Sequence, residues 1–236
     1  MENVAFIFAR KNSKRLPKKN IKNFAGKPLL AWSIQQALTI KKINRVVVST
    51  DCEQIAKIAL EYGAEVPFLR PPVLASDESP EWLSWQHALK MILKDTNALP
   101  KMMISLPVTS PLRNKVDIEN CIDVYEKKNA DIVISVTESN RNPYFNMVQV
   151  NADGLVEGLI KQKKNIYRTQ DAPKIFDITT VAYVANPDYV LSEKSMFKGK
   201  MYYNEVPRER SIDIDTLFDF EIAEYLMKKK IGLSDD

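Results

Sequence analysis

The sequence predicts an α/β protein with a mostly parallel, twisted sheet flanked by helices. Three observations predict it. Short, nearly continuous apolar runs recur at residues 4–9, 45–49, 102–106 and 131–136. Such runs suit strands buried on both faces. Segments of helical periodicity alternate with them, and the connections are short. Strand–helix alternation with short loops is the pattern of a parallel sheet covered by helices.

The elements follow in order. After the first strand a polar loop runs from Arg10 to Lys27, and Gly26 with Pro28 opens a helix whose Leu30, Ile34, Ala37 and Leu38 share a face. Arg45 to Ser49 is the second strand. Asp51 is placed to cap the next helix, where Ile55, Ile58, Ala59 and Tyr62 repeat at helical spacing and Gly63 closes the end. A helix over 80–93 gathers Trp85, Leu89 and Ile92. The strand at 102–106, a helix carrying Ile118, Cys121, Ile122 and Tyr125, and the strand at 131–136 continue the alternation. The rhythm then changes. Residues 147–150 and 155–159 flank Asn151-Ala152-Asp153-Gly154 as a hairpin. A strand at 178–184 and a last helix at about 217–229 complete a single domain, 1–236, with a β-rich insertion at about 138–178.

Composition narrows the function. The 236 residues are 45% hydrophobic and 27% charged, with no apolar run of membrane-spanning length and no basic-then-apolar leader, so a cytoplasmic enzyme is expected. Cys52 and Cys121 stand in no CxxC or Cys/His spacing, and free thiols are expected. The net charge of +4 is spread along the chain without an aromatic-rich basic motif, which argues against nucleic acid and suits a small polyanion. With one histidine, His87, placed as a packing or surface residue of its helix, Ser-His and Cys-His hydrolysis has little to build on.

Two segments carry chemistry. The loop leaving the first strand, Ala9-Arg10-Lys11-Asn12-Ser13-Lys14-Arg15-Leu16-Pro17-Lys18-Lys19-Asn20, holds six cationic side chains among small polar ones. Ligands of open α/β sheets bind beyond the carboxyl ends of the strands, and a triphosphate needs converging cations and donors. The loop is neither a Walker A sequence nor a GxGxxG turn. Near the other end, Ser211-Ile212-Asp213-Ile214-Asp215-Thr216 places two carboxylates two residues apart, so an extended backbone projects them to one face. Adjacent carboxylates repel, and a divalent cation such as Mg²⁺ resolves the repulsion. Asp215 or Thr216 also stands where a cap of the last helix belongs.

Together these segments resemble the acylneuraminate cytidylyltransferase family, whose signature usually runs Ala-Arg-Gly-Gly-Ser-Lys-x-x-Pro-x-Lys-Asn; here Lys11 and Asn12 replace the Gly-Gly pair. The resemblance spans nearly the whole chain. Its further matches are Ser49-Thr50-Asp51, the stretches 64–71 and 74–77, and Thr109-Ser110-Pro111-Leu112-Arg113, preceded by Pro107-Val108 where Gln-Pro is usual. Arg168-Thr169-Gln170-Asp171-Ala172-Pro173, with aspartate where sialate enzymes often carry arginine, leans toward the legionaminate and flagellin-modification branch.

The resemblance implies a Rossmann-like nucleotidyltransferase that joins CMP from CTP to the anomeric hydroxyl of a sialic-acid-like nonulosonate, releasing pyrophosphate. Catalytic roles fall to Arg10, Lys19, Asp213 and Asp215, and nucleotide contacts to Ala9, Arg10, Ser13, Lys19, Asn20 and Arg70. Substrate contacts fall to Thr109, Ser110, Arg168, Gln170, Lys174 and Asp177, and Mg²⁺ (or Mn²⁺) to Asp213 and Asp215. It also implies a homodimer through the insertion. Two other readings stay open: an enzyme for 3-deoxy-octulosonate or another sugar, and a non-catalytic nucleotide-binding protein of a glycan pathway.

Overall fold

The computed structural model describes residues 2–160, 168 and 172–233. Its strands are β1 (Asn3–Phe8), β2 (Asn23–Phe24), β3 (Lys27–Pro28), β4 (Arg45–Ser49), β5 (Met102–Ser105), β6 (Ile132–Glu138), β7 (Val148–Val150), β8 (Val156–Gly158), β9 (Phe176–Ala185) and β10 (Met201–Glu205). The helices are α1 (Leu29–Leu38), α2 (Glu53–Glu61), α3 (Glu81–Thr96), α4 (Lys115–Lys128), α5 (Pro187–Ser192) and α6 (Leu217–Lys230). No helix of the described residues is long and apolar enough to cross a membrane.

Six strands form the central sheet in the order β10-β6-β9-β5-β1-β4. The β4–β1, β1–β5 and β6–β10 pairings are parallel, and only β9 runs the other way, between β5 and β6. Alternation along each strand explains the layers. Ala5 and Ile7 point into one cluster with α1, α2, α4 and α6, through Ile34, Ile55, Ile118 and Phe220. Val4 and Phe6 point into the other, with α3 and α5, through Trp85, Leu89 and Val190. Strands apolar on both faces therefore need helices on both, which is the predicted architecture. Each fully buried Leu, Ile or Phe stabilises it by roughly 1.5–3 kcal/mol.

The carboxyl ends of β1, β4 and β5 lie side by side, because these three strands are parallel neighbours. The loops at 9–18, 50–52 and 106–113 therefore leave the sheet along one edge. Between β6 and β9 the chain departs into the β7–β8 hairpin, whose six strand residues are all exposed. Asn151 organises its turn, its side chain accepting from the backbone N–H of Asp153 and Leu155.

Two local expectations change. Asp51 does not cap α2: the N-cap is Cys52, with no side-chain cap, and the Asp51 carboxylate turns to the cationic loop instead. The Asp213–Asp215 segment joins no strand; its backbone is tied by the N–H of Ile214 donating to the Thr109 carbonyl at 2.8 Å. Ile214 is fully buried while both aspartates keep access to solvent, so the alternation still separates the isoleucine from the carboxylates. Gly63 ends α2 as expected, at φ +89°.

Candidate active site

Two adjoining cavities occupy the carboxyl edge of β1 and β5, of about 300 Å³ and about 420 Å³. They share Phe8, Arg10, Asn20, Asp77 and Thr109, and so form one cleft. The pair fits the size range of small-molecule sites.

The larger cavity is the meeting point of the two charged segments. Ser13, Lys14, Arg15, Lys19 and Asp215 line it with the shared residues. Lys19, buried in a short 3₁₀ turn, donates its ammonium to the Ile214 carbonyl and lies 3.7 Å from Asp215. Arg15 approaches the same carboxylate at 3.1 Å. Burial lowers the pKa of Lys19, and the fields of Asp215 and Asp213 oppose that shift. Residues 195 positions apart in sequence are thus held within hydrogen-bond distance.

Asp213 differs from its neighbour. Its Oδ1 is buried and finds no hydrogen-bond partner among the described residues. A buried, unsatisfied carboxylate oxygen is costly and points to a ligand. No group of three or more acidic, His or Cys side chains that could hold a metal ion occurs among the described residues. Asp215 on the wall of the cationic cavity, with Asp213 two residues away, nevertheless fits a hard divalent ion, which takes oxygen ligands from one or two carboxylates, water and phosphates. The donor set fits Mg²⁺.

On the loop itself, Asn20 donates from Nδ2 to the Arg10 carbonyl at 2.8 Å and fixes the turn. The Asp51 carboxylate accepts from the Lys11 N–H at 2.8 Å, so the turn holds with Lys11-Asn12 in place of two glycines. Ala9 is buried and extends the strand, donating to the Ser49 carbonyl. Asp77 pairs with both Arg10 and Lys14 at 2.8 Å. The hydrogen bond from Lys14 is the main cause that holds its carboxyl below the usual range. Asp77 thereby occupies two of the loop's cations.

The smaller cavity has a different character. Arg70, Leu74, Ser76, Ser79, Glu81, Ser84, Pro107, Val108 and Thr180 complete its lining. Arg70 is 5% exposed, donates from Nη1 to Ser84 Oγ at 3.1 Å and approaches Asp51 at 4.0 Å. Its Nε and Nη2 have no hydrogen-bond partner among the described residues. Burial lowers its pKa, with Asp51 and Glu81 opposing.

The loop after β5 forms the floor. Ser33 and the fully buried Arg113 both donate to the Pro107 carbonyl, and Thr180 bonds Thr109 at 3.1 Å and Ser110 at 2.7 Å. Thr109 lines both cavities, whereas Ser110 is buried beneath them.

The sugar-side candidates are elsewhere. Lys174 pairs with Glu138 and Glu205, both at 3.5 Å, and Asp177 is exposed opposite Thr137 in the β6–β9 ladder. Neither they nor the exposed Arg168 lines the cleft. Gln170 lies outside the described residues. Sequence reasoning did not single out Asp77, Glu81 and Thr180, which reach the cleft only through packing; Asp77 alone stood in a quoted stretch.

The match to known proteins agrees with this chemistry. The cytidylyltransferase family model matches residues 4–233, and the chain belongs to that family: it is a nucleotidyltransferase enzyme. It is 32% identical to the pseudaminic acid cytidylyltransferase of Campylobacter jejuni, over 97% of each chain. It is 32% identical to the CMP-N,N'-diacetyllegionaminic acid synthase of Legionella pneumophila, again over 97% of each. The fold matches a CMP:2-keto-3-deoxy-manno-octonic acid synthetase solved with CTP, at TM-score 0.72 and 17% identity, over 98% of this chain and 100% of that one.

Proposed function

We propose that the protein transfers CMP from CTP to the anomeric hydroxyl of a nine-carbon 2-keto sugar acid of the pseudaminate or legionaminate type. The carrying observation is the convergence of Arg10, Arg15 and Lys19 with Asp215 at one cleft, with Asp213 two residues away on the same segment. The names of the two relatives support the sugar class.

The reaction is an in-line displacement. The anomeric oxygen forms a bond to the α-phosphorus of CTP as the bond to pyrophosphate breaks, and the hydroxyl proton leaves to solvent or a base. Such chemistry rests on positioning and charge neutralisation. Arg10, Lys14 and Lys19 bind the phosphates, which requires Asp77 to release Arg10 and Lys14. Ser13 and Asn20 add hydrogen bonds from the wall of the cleft. Arg70 holds the base end, and Thr109 sits between base and phosphate ends, on the wall common to both cavities. Asp213 and Asp215 would hold Mg²⁺ or Mn²⁺, which when bound offsets phosphate charge and lowers the pKa of a ligated hydroxyl or water.

The exposed apolar hairpin supports a homodimer. Packing through the β7–β8 arm would bring Arg168, Lys174 and Asp177 to the sugar side of a shared site. The absence of a membrane-crossing helix among the described residues is compatible with a cytoplasmic location.

The test is pyrophosphate release from CTP and Mg²⁺ with a panel of pseudaminate, legionaminate, N-acetylneuraminate and 3-deoxy-octulosonate. Turnover with one of the first two is expected. Preference for 3-deoxy-octulosonate would reassign the sugar, and CTP binding without turnover on any would reject catalysis on this class.

A further inference from the structure

Arg15 stands at the first variable position of Ser-Lys-x-x-Pro, where the family signature leaves the residue open, yet it meets the acidic segment. Its Nη1 lies 3.1 Å from Asp215 Oδ2, while Lys19 Nζ lies 3.7 Å from Oδ1 of the same carboxylate. Both oxygens of Asp215 therefore face a cation. Asp213 Oδ1, two residues earlier, is buried with no hydrogen-bond partner among the described residues.

The two cations are held differently. Lys19 is 8% exposed and donates to the Ile214 carbonyl, so the backbone of the acidic segment fixes its place. The Arg15 side chain is 68% exposed on the wall of the larger cavity, and Asp215 is its one ion-pair partner among the described residues. Its neighbours on the loop, Arg10 and Lys14, are taken by Asp77. Arg15 is thus the cation of this group that can exchange. An exposed ion pair of this kind favours the closed arrangement by at most about fivefold in an equilibrium constant.

Asp215 Oδ2 cannot serve Arg15 and a divalent cation at once. A guanidinium and a doubly charged ion against one carboxylate oxygen repel, and the single negative charge offsets only part of their sum. A triphosphate changes the balance, because its oxygens offer the planar fork of an arginine two acceptors side by side. Arg15 lines the cavity assigned to the phosphates, so the exchange asks for rotation of one exposed side chain.

We propose that Arg15 is an exchangeable counter-ion of Asp215, which guards the carboxylate against a lone divalent cation and turns to the phosphates when metal and nucleotide arrive as one complex. The cleft thereby favours the metal–triphosphate complex over the free ion, although both use the same carboxylates. The proposal rests on the reading of Asp213 and Asp215 as metal ligands.

The experiment titrates Mn²⁺ alone, followed by electron paramagnetic resonance, and the preformed Mn²⁺–CTP complex, followed by calorimetry, with no sugar acid present. The proteins are the wild type, Arg15→Gln, Arg15→Lys, and Asp213→Asn with Asp215→Asn. Arg15→Gln is expected to bind Mn²⁺ alone about three- to tenfold more tightly than the wild type, since repulsion and competition are both removed. The same variant should bind the Mn²⁺–CTP complex at least about threefold more weakly, having lost a cation from the phosphates. Arg15→Lys keeps the charge and should stay near the wild type for Mn²⁺ alone. Parallel weakening of both ligands in Arg15→Gln would mark a structural role and overturn the proposal. Unchanged Mn²⁺ binding in that variant would overturn it too, whether or not the complex binds more weakly. Mn²⁺–CTP binding that survives intact in Asp213→Asn with Asp215→Asn would reject the metal reading itself, which is a separate failure.

Discussion

The cleft and the β7–β8 arm hold opposite kinds of unfinished business. At the cleft, Arg70 Nε and Nη2 and Ser79 Oγ are buried without hydrogen-bond partners among the described residues, and so is Asp213 Oδ1 on the acidic segment. On the arm, apolar side chains are exposed without cover: Val150 is 65% exposed, Leu155 64% and Val156 62%. Each is a cost in the isolated chain, since unpaired buried polar atoms lose their hydration and exposed apolar surface stays in water. The cleft is tied together by long-range bonds, from Lys19 to the Ile214 carbonyl and from the Lys11 N–H to Asp51. The arm is a lone two-stranded hairpin, a form that is only marginally stable without packing. One region is prepared for a small polar ligand and the other for a protein surface.

Removing the charge from the acidic pair breaks the comparison at its strongest point. Asp213→Asn with Asp215→Asn keeps size and hydrogen bonding but abolishes both negative charges. Turnover should fall on the order of 10²–10³-fold, the magnitude that loss of a preorganised electrostatic group produces. CMP should still bind near the wild-type level, because Arg70 and Glu81 serve the other cavity. Steady-state pyrophosphate release and CMP calorimetry check both halves. Retained turnover would remove the metal assignment and leave the aspartates as a structural clasp for Lys19.

The arm is broken by charge. Val150 and Val156 face each other across the β7–β8 ladder, so Val150→Glu with Val156→Glu puts two carboxylates on adjacent positions. Buried in an interface, the pair would cost at least about 2.7 kcal/mol, and the dimer dissociation constant should rise at least about 100-fold. Sedimentation equilibrium would reveal monomers at micromolar protein while circular dichroism stays that of the wild type, since these side chains are not in the core. A wild type that is monomeric at all concentrations would leave the arm without its proposed partner.

Much of this contrast was legible in the sequence, and for physical reasons. Runs such as 4–9 and 131–136 read as strands because a strand covered on both faces must be apolar throughout. The cationic loop and the aspartate pair were legible because charge in that density is visible without a fold. Their meeting was only an expectation, since it depends on Lys19 reaching Ile214 across the whole chain. The edge strand β10, Met201-Tyr202-Tyr203-Asn204-Glu205, was not legible; it buries a single side chain, Asn204, and shows neither strand signal. The antiparallel placement of β9 was also hidden, because local pattern carries no information on strand order. Asp51 read as a cap from local spacing, and its tertiary partners, Lys11 and Arg70, overrode that role. Glu81 was not singled out from the sequence, and only the fold sets it in one cavity with Arg70.

The smallest effect concerns where the acidic segment ends and separates stability from chemistry. Thr216 caps α6 with its side chain accepting from the Asp219 N–H, and Asp219 returns the bond to the Thr216 backbone at 2.7 Å. The same Asp219 oxygen also accepts from the Asp215 N–H at 3.2 Å. Thr216→Ala removes the first bond, together with the 2.7 Å bond from the Thr216 hydroxyl to Asp219 Oδ2, and keeps the two from backbone N–H groups. The helix should lose about 1 kcal/mol, a Tm decrease of roughly 2–4 °C for a chain of this size. Because Asp219 still holds the Asp215 backbone, kcat should stay within about twofold of the wild type, a change of less than half a kcal/mol. Asp219→Ala, which also frees Asp215, should lower Tm further and reduce kcat as well. If Thr216→Ala alone cost as much turnover as Asp219→Ala, the cap and not the Asp215 tether would be what positions the acidic pair.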